Sequence, residues 1–304
     1  MNTMDEDLKT ICRIIPRVTA VEKCQSIERM GGMTNRTYKV ETDHSKAYVV
    51  RIPGEGTESM ICRSDEKIST ELACHLGIDA DLLFWGNGEE EGLKVSSYIQ
   101  NAVTLNKERM KDSNTIRDIA QVLRKLHTCE VETGVVFDVF AMADTYEKVI
   151  NAHSINMYSD YFEVRKHVMQ IKQQVEKQNA FHIVPCHNDP LPENWVYGND
   201  RLYLIDWEYA GMNDSMWDLA DVSIESEYEE EQDMFLLKDY LGHAPDYATK
   251  MRFMANKLYV DFVWTLWGKA RIPFDGEEME TYALGRYNRL KKNLRIYQQM
   301  IGFN

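Results

Sequence analysis

The segment from His187 to Asn194 combines residue types at a spacing that suits phosphoryl transfer. Its sequence, His-Asn-Asp-Pro-Leu-Pro-Glu-Asn, fits the pattern H-x-D-x-x-x-x-N. In loops of this pattern the Asp receives the proton of an acceptor hydroxyl and the Asn holds Mg²⁺. The pattern therefore predicts Asp189 as a catalytic residue and Asn194 as a metal ligand.

A second carboxylate follows shortly after this loop. Residues 195–200 are predicted to form a strand and a turn, and residues 201–205 form an apolar strand that ends at Asp206. A loop, a tight hairpin and a second Asp would place Asp189, Asn194 and Asp206 around one cavity. Such oxygen ligands, together with phosphate oxygens, are what Mg²⁺ requires. The alternative is a loop whose carboxylates are simply solvated.

Two features of the first third of the chain are suited to binding phosphate. Residues 30–35, Met-Gly-Gly-Met-Thr-Asn, lie between two predicted strands, and glycine allows backbone N–H groups to approach a phosphate closely. Arg51 ends an apolar strand and is predicted to pair with nucleotide phosphates and with Glu66 on the next helix. The alternatives are an ordinary hairpin and a surface cation at a strand end.

The elements that must position these residues change in type along the chain. Before residue 100, alternating or apolar segments predict strands within 18–31, 36–40, 47–52, 82–84 and 93–95, with one helix at 64–76. After it, helical patterns cover 116–127 and most of the chain from about residue 234. We therefore expect an N-terminal lobe over 1–99 and a C-terminal lobe over 100–304.

Composition narrows the class of protein. The 304 residues include 35 Lys and Arg but 49 Asp and Glu, and the resulting net charge of −14 argues against binding to nucleic acid or to an anionic membrane. The first residues are acidic rather than basic, and no apolar stretch approaches the length of a membrane span. The six cysteines form no C-x-x-C pair. We expect a cytoplasmic protein without membrane insertion.

The motifs resemble, in order and spacing, those of the choline/ethanolamine kinase family. The resemblance rests on residues 188–194, on 205–211 (Ile-Asp-Trp-Glu-Tyr-Ala-Gly), and on 218–220 (Asp-Leu-Ala) with Glu225. Residues 255–267 are similar to the choline-pocket helix of that family. The resemblance spans most of the chain and is closest to bacterial choline kinases that supply phosphocholine for cell-surface glycopolymers. It implies an α+β, protein-kinase-like (aminoglycoside-phosphotransferase-like) two-lobe fold, with a β-rich N-lobe and a mainly helical C-lobe.

The resemblance also implies roles for individual residues, with ATP and Mg²⁺ as cofactors and choline as substrate. Asp189 would be the catalytic base, Asn194 and Asp206 would bind Mg²⁺, and Glu208 would be a further metal neighbour. His187 would orient the catalytic loop and Asp218 would brace it. The implied ATP contacts are Asn35, Arg51 with its partner Glu66, and the backbone of Ser97 and Ile99.

The acceptor pocket follows from the chemistry of a quaternary ammonium ion. This ion has no N–H group, so it is held by aromatic faces and by a nearby carboxylate. Trp264 and Trp267 are spaced to share one helical face, Tyr209 and Tyr282 would add walls, and Glu225 would supply the charge. The alternatives are a tryptophan pair that belongs to the core and a Glu225 that belongs to the solvated acidic run 225–231.

Departures from related patterns leave other functions open. The chain has neither G-x-G-x-x-G nor Val-Ala-Ile-Lys, which disfavours a protein kinase. Ser226 follows Glu225 where eukaryotic choline kinases have Trp, so one aromatic wall is absent or is supplied by Tyr228. The acceptor could instead be ethanolamine, an aminoglycoside or thiamine. A nucleotide-binding pseudokinase with a regulatory role is the alternative from another class.

Overall fold

The chain forms ten helices and ten strands within the residues that the computed structural model describes, which are 3–19, 22–31, 35–54, 61–178 and 181–302. The strands are β1 (Cys24–Gly31), β2 (Asn35–Thr42), β3 (Ala47–Pro53), β4 (Leu82–Trp85), β5 (Lys94–Ser97), β6 (Val103–Thr104), β7 (Ile183–Cys186), β8 (Trp195–Gly198), β9 (Arg201–Leu204) and β10 (Gly211–Asp214). The helices are α1 (Thr3–Val18), α2 (Arg63–His75), α3 (Lys107–Met110), α4 (Ser113–His127), α5 (Val139–Ala152), α6 (Tyr161–Lys177), α7 (Ser215–Glu225), α8 (Glu230–Leu241), α9 (Tyr247–Asp275) and α10 (Glu278–Gly302).

The contacts divide the chain into two compact units. The first unit is Met1–Leu105 together with Glu193–Ala210, and the second is Asn106–Pro192 together with Gly211–Asn304. The hairpin of β8 and β9 therefore belongs to the first unit, although it comes late in the sequence. These units are groups of residues in contact with one another. The division into an N-terminal lobe over 1–99 and a C-terminal lobe over 100–304 stays a prediction.

The first unit is built on an antiparallel five-stranded sheet with the order β1-β2-β3-β5-β4. Arg51 lies on the central strand β3, opposite Thr37 of β2 and Lys94 of β5. A second sheet pairs β8 with β6 and β9. The predicted strands at 36–40, 47–52 and 82–84 and the predicted helix at 64–76 are present, because their apolar spacing matches the faces that they bury.

Helix α1 is an element that the sequence patterns did not predict. Its residues Ile11, Ile14 and Ile15 are completely buried and pack in one core cluster with sheet residues such as Tyr38 and Val50. Their spacing of three and four residues is typical of an amphipathic helix, and this helix precedes the first strand. The helix covers one face of the sheet, which would otherwise expose its apolar side chains.

Replacing Ile14 by Ala is expected to lower the free energy of unfolding by about 3 kcal/mol, because it leaves a cavity between α1 and the sheet. The matched control is Ile68→Ala on α2, where the side chain is 41% exposed and the loss should be small. Urea denaturation of both variants measures the difference. Equal losses would contradict the packing role of α1.

The second unit is mainly helical. Helix α9 has 29 residues and buries side chains on nearly all of its faces between Phe253 and Ala270, which is the pattern of a central helix. The two-stranded sheet pairs β7 with β10 and joins Cys186 to Gly211. The predicted helical patterns at 116–127 and beyond residue 234 are confirmed as α4, α8, α9 and α10. Among the described residues, no helix is both long and apolar enough to cross a membrane.

Candidate functional site

The segment before Asp189 is held in an unusual backbone conformation. Asn188 has a φ of 67°, in the left-handed region, which Asn adopts more readily than most residues other than glycine. Hydrogen bonds hold all of its polar groups. Its N–H donates to Asp218 Oδ1 (2.8 Å) and its Nδ2 donates to the Gly211 carbonyl (3.3 Å), while its Oδ1 accepts from Asn213 Nδ2 (2.9 Å) and its carbonyl accepts from Trp217 Nε1 (3.0 Å). The backbone that leads into Asp189 is therefore fixed.

Asp218 braces this loop from the first turn of α7. Its carboxylate is completely buried and accepts the N–H of His187 and the N–H of Asn188, both at 2.8 Å. His127 Nε2 lies 3.0 Å from the same carboxylate. The ring of His187, also completely buried, accepts the N–H of Asp189 at its Nδ1 (3.3 Å). These contacts support the predicted roles of Asp218 and His187 in positioning the loop.

A guanidinium–carboxylate cluster lies in the first unit; we define it as Asn35, Arg51, Arg63, Glu66, Asp206 and Glu208. The predicted pairing of Arg51 with Glu66 is present as an ion pair between almost fully buried side chains. Arg51 Nη1 also lies 3.4 Å from Asp206 Oδ1. Arg63 donates to Glu66 (2.7 Å) and to Asn35 Oδ1 (3.1 Å). Arg63 was not singled out from the sequence, although its i,i+3 spacing from Glu66 on α2 was a signal.

Asp206 and Glu208 bring two carboxylates together after β9. Asp206 has a φ of 68° and a side chain that is 38% exposed, whereas the Glu208 side chain is only 6% exposed. Glu208 Oε2 accepts from Asn35 Nδ2 at 2.9 Å. Burial, reinforced by the negative charge of Asp206, raises the pKa of Glu208 to about 7.

These residues fit a divalent cation by the chemistry of their donors. Asn194, Asp206 and Glu208 all belong to the first unit and offer the oxygen atoms that Mg²⁺ prefers. The repulsion between Asp206 and Glu208, which shows in the pKa of Glu208, is what a bound cation would relieve. Asp189 belongs to the second unit, and so the single cavity predicted for Asp189, Asn194 and Asp206 stays a prediction.

The remaining predicted contacts with ATP are those of the glycine-rich segment, Asn35, Ser97 and Ile99. Within the glycine-rich segment, residues 32–34 lie outside the described residues. The N–H of Ser97 donates to the Asp81 carbonyl (2.9 Å), so this group is already used within the fold. The side chain of Ile99 is buried in a cluster with Val196. Contacts of Asn35, Ser97 and Ile99 with ATP stay predictions.

Three aromatic rings predicted to bind the acceptor form a contiguous group in the second unit. Trp264 and Trp267 of α9 meet edge to face, with ring centroids 6.1 Å apart and an interplanar angle of 87°. Trp267 meets Tyr282 of α10 in the same way, at 5.6 Å and 72°. Trp267 and Tyr282 are only partly buried. Tyr209 belongs to the first unit, and its place in an acceptor pocket stays a prediction.

The carboxylate predicted to supply the charge already has a cationic partner. Glu225 forms an ion pair with Arg286, and its side chain is 14% exposed, so it is not part of a solvated acidic face. Arg286 also lies 3.7 Å from Asp261 and 4.9 Å from the centre of the Tyr282 ring. The hydroxyl of Tyr228 donates to the Met110 carbonyl (2.5 Å), so this tyrosine is bonded within the fold of the second unit.

Comparisons with known proteins identify the family of this chain. The sequence pattern of the choline/ethanolamine kinase family matches residues 27–280 of this chain. Protein LicA of Haemophilus influenzae is 29% identical over an alignment of 264 residues, with 84% of this chain and 76% of that protein covered. A probable ethanolamine kinase of Arabidopsis thaliana is 28% identical over 306 residues, with 88% of this chain and 79% of that protein covered.

Solved structures are similar over almost the whole chain. A choline/ethanolamine kinase family protein from Mesorhizobium loti has a TM-score of 0.85 at 28% identity, covering 99% of this chain and 98% of its own. Choline kinase LicA from Streptococcus pneumoniae has a TM-score of 0.79 at 32% identity, covering 96% and 100%. LicA has also been solved in complex with AMP. That chain is 33% identical to this one with a TM-score of 0.77, and the match covers 95% of this chain and 98% of that chain.

The predicted fold class is confirmed by more distant structures. The aminoglycoside phosphotransferase APH(2")-IIa, solved with streptomycin and ATP, has a TM-score of 0.65 at 16% identity and shares the fold alone. The β-rich first unit and the mainly helical second unit agree with that class. The sequence pattern of the family matches most of the chain, and structures of related proteins superpose on nearly all of it. The chain therefore belongs to the choline/ethanolamine kinase family.

Proposed function

We propose that the protein transfers the γ-phosphoryl group of Mg·ATP to the hydroxyl of choline. The observation that carries this proposal is a group of three aromatic rings in edge-to-face contact, in the second unit of a choline/ethanolamine kinase family member. The rings are those of Trp264, Trp267 and Tyr282. Aromatic faces attract a cation that has no N–H group to donate, which is the property of a quaternary ammonium ion. ATP as the donor accords with the cytoplasmic location expected from the sequence.

In this proposal Asp189 acts on the acceptor hydroxyl. Its carboxylate accepts a hydrogen bond from the hydroxyl and orients the oxygen for attack. It takes the proton as the bond from that oxygen to the γ-phosphorus forms and the bond from the γ-phosphorus to the leaving ADP breaks. Such a role requires a fixed carboxylate. The hydrogen bonds of Asn188, His187 and Asp218 supply that rigidity before the substrate arrives. Catalysis here is mainly positioning.

Asn194 and Asp206, with Glu208 next to them, would hold the Mg²⁺ of Mg·ATP. When bound, that ion neutralises charge on the phosphate oxygens. Arg51 would add a guanidinium to the same phosphates. Its almost fully buried ion pair with Glu66 holds its direction, and Arg63 holds Glu66 from the other side. Glu66 thus fixes two guanidinium groups, that of Arg51 on β3 and that of Arg63 on α2.

The first test is an assay of ADP release with Mg·ATP and a panel of acceptors. Choline, ethanolamine, its mono- and dimethylated forms and several aminoglycosides are compared at equal concentration. We expect kcat/KM to rise with each methyl group, because each adds surface for contact with the aromatic rings. A preference for ethanolamine, as in the relatives named ethanolamine kinases, or for an aminoglycoside would replace choline in the proposal. ATP binding without any phosphorylated product would favour the pseudokinase.

Replacing Trp264 by Ala is expected to raise the KM for choline by roughly tenfold and to leave the KM for ATP nearly unchanged. The physical reason is the loss of one aromatic face and of the edge contact that orients Trp267. Trp264→Phe keeps an aromatic face and is the matched control, with a smaller rise. If both KM values rise together in Trp264→Ala, the tryptophan has a packing role instead.

A further inference from the structure

Asp221 of α7 is a buried carboxylate that the proposed mechanism does not use. The residue is completely buried, and neither Oδ1 nor Oδ2 has a hydrogen-bond partner among the described residues. Nor does it form an ion pair with any of them. Burying an ionised carboxylate without a partner is costly, so such a group is rarely retained without a reason. It was not singled out from the sequence.

The charges around Asp221 make its position more unfavourable. Burial and the negative charges of Glu225, Asp189 and Asp218 all raise the pKa of Asp221 well above its usual range. Arg286 opposes this effect, but its guanidinium is already paired with Glu225 and lies 3.7 Å from Asp261. This part of the second unit therefore has more acidic than basic side chains, and a bound cation would stabilise the ionised form of Asp221.

Asp221 belongs to the same neighbourhood as the aromatic rings. The negative charge of Asp189 raises the pKa of Asp221 and also the pKa of the Tyr282 hydroxyl. Arg286, which acts on Asp221, lies against the face of Tyr282, and Tyr282 contacts Trp267. Asp221 lies one helical turn before Glu225 on α7, and Glu225 pairs with Arg286, which lies over the ring of Tyr282. The unpaired carboxylate is thus linked to the aromatic group through contacts within one unit.

We propose that Asp221 is the ionic partner of the positively charged nitrogen of the acceptor and determines selectivity for a cationic alcohol over a neutral one. This inference rests on the proposed function and refines it. Glu225 was the carboxylate predicted for this role, but its charge is compensated by Arg286. A quaternary ammonium carries charge without hydrogen-bond donors, so it pairs with a carboxylate by charge alone.

The test compares choline with 3,3-dimethylbutan-1-ol, its neutral isostere, in which carbon replaces the charged nitrogen. The wild-type protein and Asp221→Asn are assayed for ADP release with both alcohols. We expect the wild type to prefer choline strongly. Asp221→Asn should lower that preference, as a ratio of kcat/KM values, by roughly 10- to 100-fold, mainly through the KM for choline. A purely structural role would change the values for both alcohols alike.

Two further proteins complete the experiment. Glu231→Gln removes one negative charge from an exposed position on α8 and should keep the wild-type preference, which excludes an effect of net charge. Asp221→Ser removes the same carboxylate with less volume and takes the place of Asp221→Asn if that variant does not fold. We expect neither Asp221 variant to lose thermal stability, because each removes an unpaired buried carboxylate.

The outcomes separate the two proposals. A folded Asp221 variant that keeps the wild-type preference for choline over its isostere would overturn the role of Asp221, while choline kinase activity would stand. A wild-type protein that phosphorylates neither alcohol would instead remove the proposed function. A lower preference in Asp221→Asn, with the preference intact in Glu231→Gln, supports the inference.

Discussion

Asp189→Asn is expected to lower kcat for choline phosphorylation about a thousandfold while nucleotide binding and stability stay close to those of the wild type. The amide keeps the size of the carboxylate but does not take the hydroxyl proton. The backbone of the loop should not move, because Asp218, Asn213 and Trp217 hold the backbone and the side-chain amide of Asn188.

The measurement for Asp189→Asn combines ADP release under saturating substrates with ATP binding by calorimetry. Asp200→Asn is the matched control, since Asp200 is an exposed Asp whose positive φ Asn also tolerates. That control should retain wild-type kcat. Near-normal turnover in Asp189→Asn would remove Asp189 from the catalytic role and would require another base.

Asp218→Asn is expected to lower the free energy of unfolding by about 3 kcal/mol and to reduce kcat as well. The wild-type carboxylate accepts two backbone N–H groups and contacts His127, all away from solvent. An amide offers one oxygen and turns an NH₂ group toward a donor, so one buried N–H loses its partner. The loop before Asp189 then loses the contact that fixes its conformation.

Urea denaturation and the ADP-release assay report the two effects of Asp218→Asn separately. Asp144→Asn is the control, because Asp144 is 59% exposed and its ion pair with Arg165 lies at the surface, where such pairs contribute little. If Asp218→Asn unfolds at the same urea concentration as the wild type, the buried hydrogen bonds do not stabilise the loop as argued. A loss of stability with unchanged kcat would limit Asp218 to the fold.

Local patterns of the chain were sufficient for much of the fold. The alternation in β2 and β3 and the apolar face of α2 are properties of neighbouring residues, and they predicted elements that the structure contains. The pairing of Arg51 with Glu66 was also predicted from the sequence, because Glu66 lies in the first turn of the next helix. Helix α1 was not predicted, although the spacing of its buried isoleucines is a local signal.

Other features depend on residues that are distant in the sequence. Glu225 meets Arg286 sixty-one residues later, and Arg63 reaches both Asn35 and Glu208, so no local pattern reveals these partners. The isolation of Asp221 is of the same kind, because a buried carboxylate without a partner is defined by everything that packs around it.

The sequence alone determined the family, the order of its motifs and the types of residue available for phosphoryl transfer, because those depend on chemistry and spacing. Only the tertiary structure decided which of the charges are compensated. Glu225 has its counterion in Arg286 and Asp221 has none among the described residues, and this difference in pairing follows from long-range packing that no segment of the chain specifies by itself.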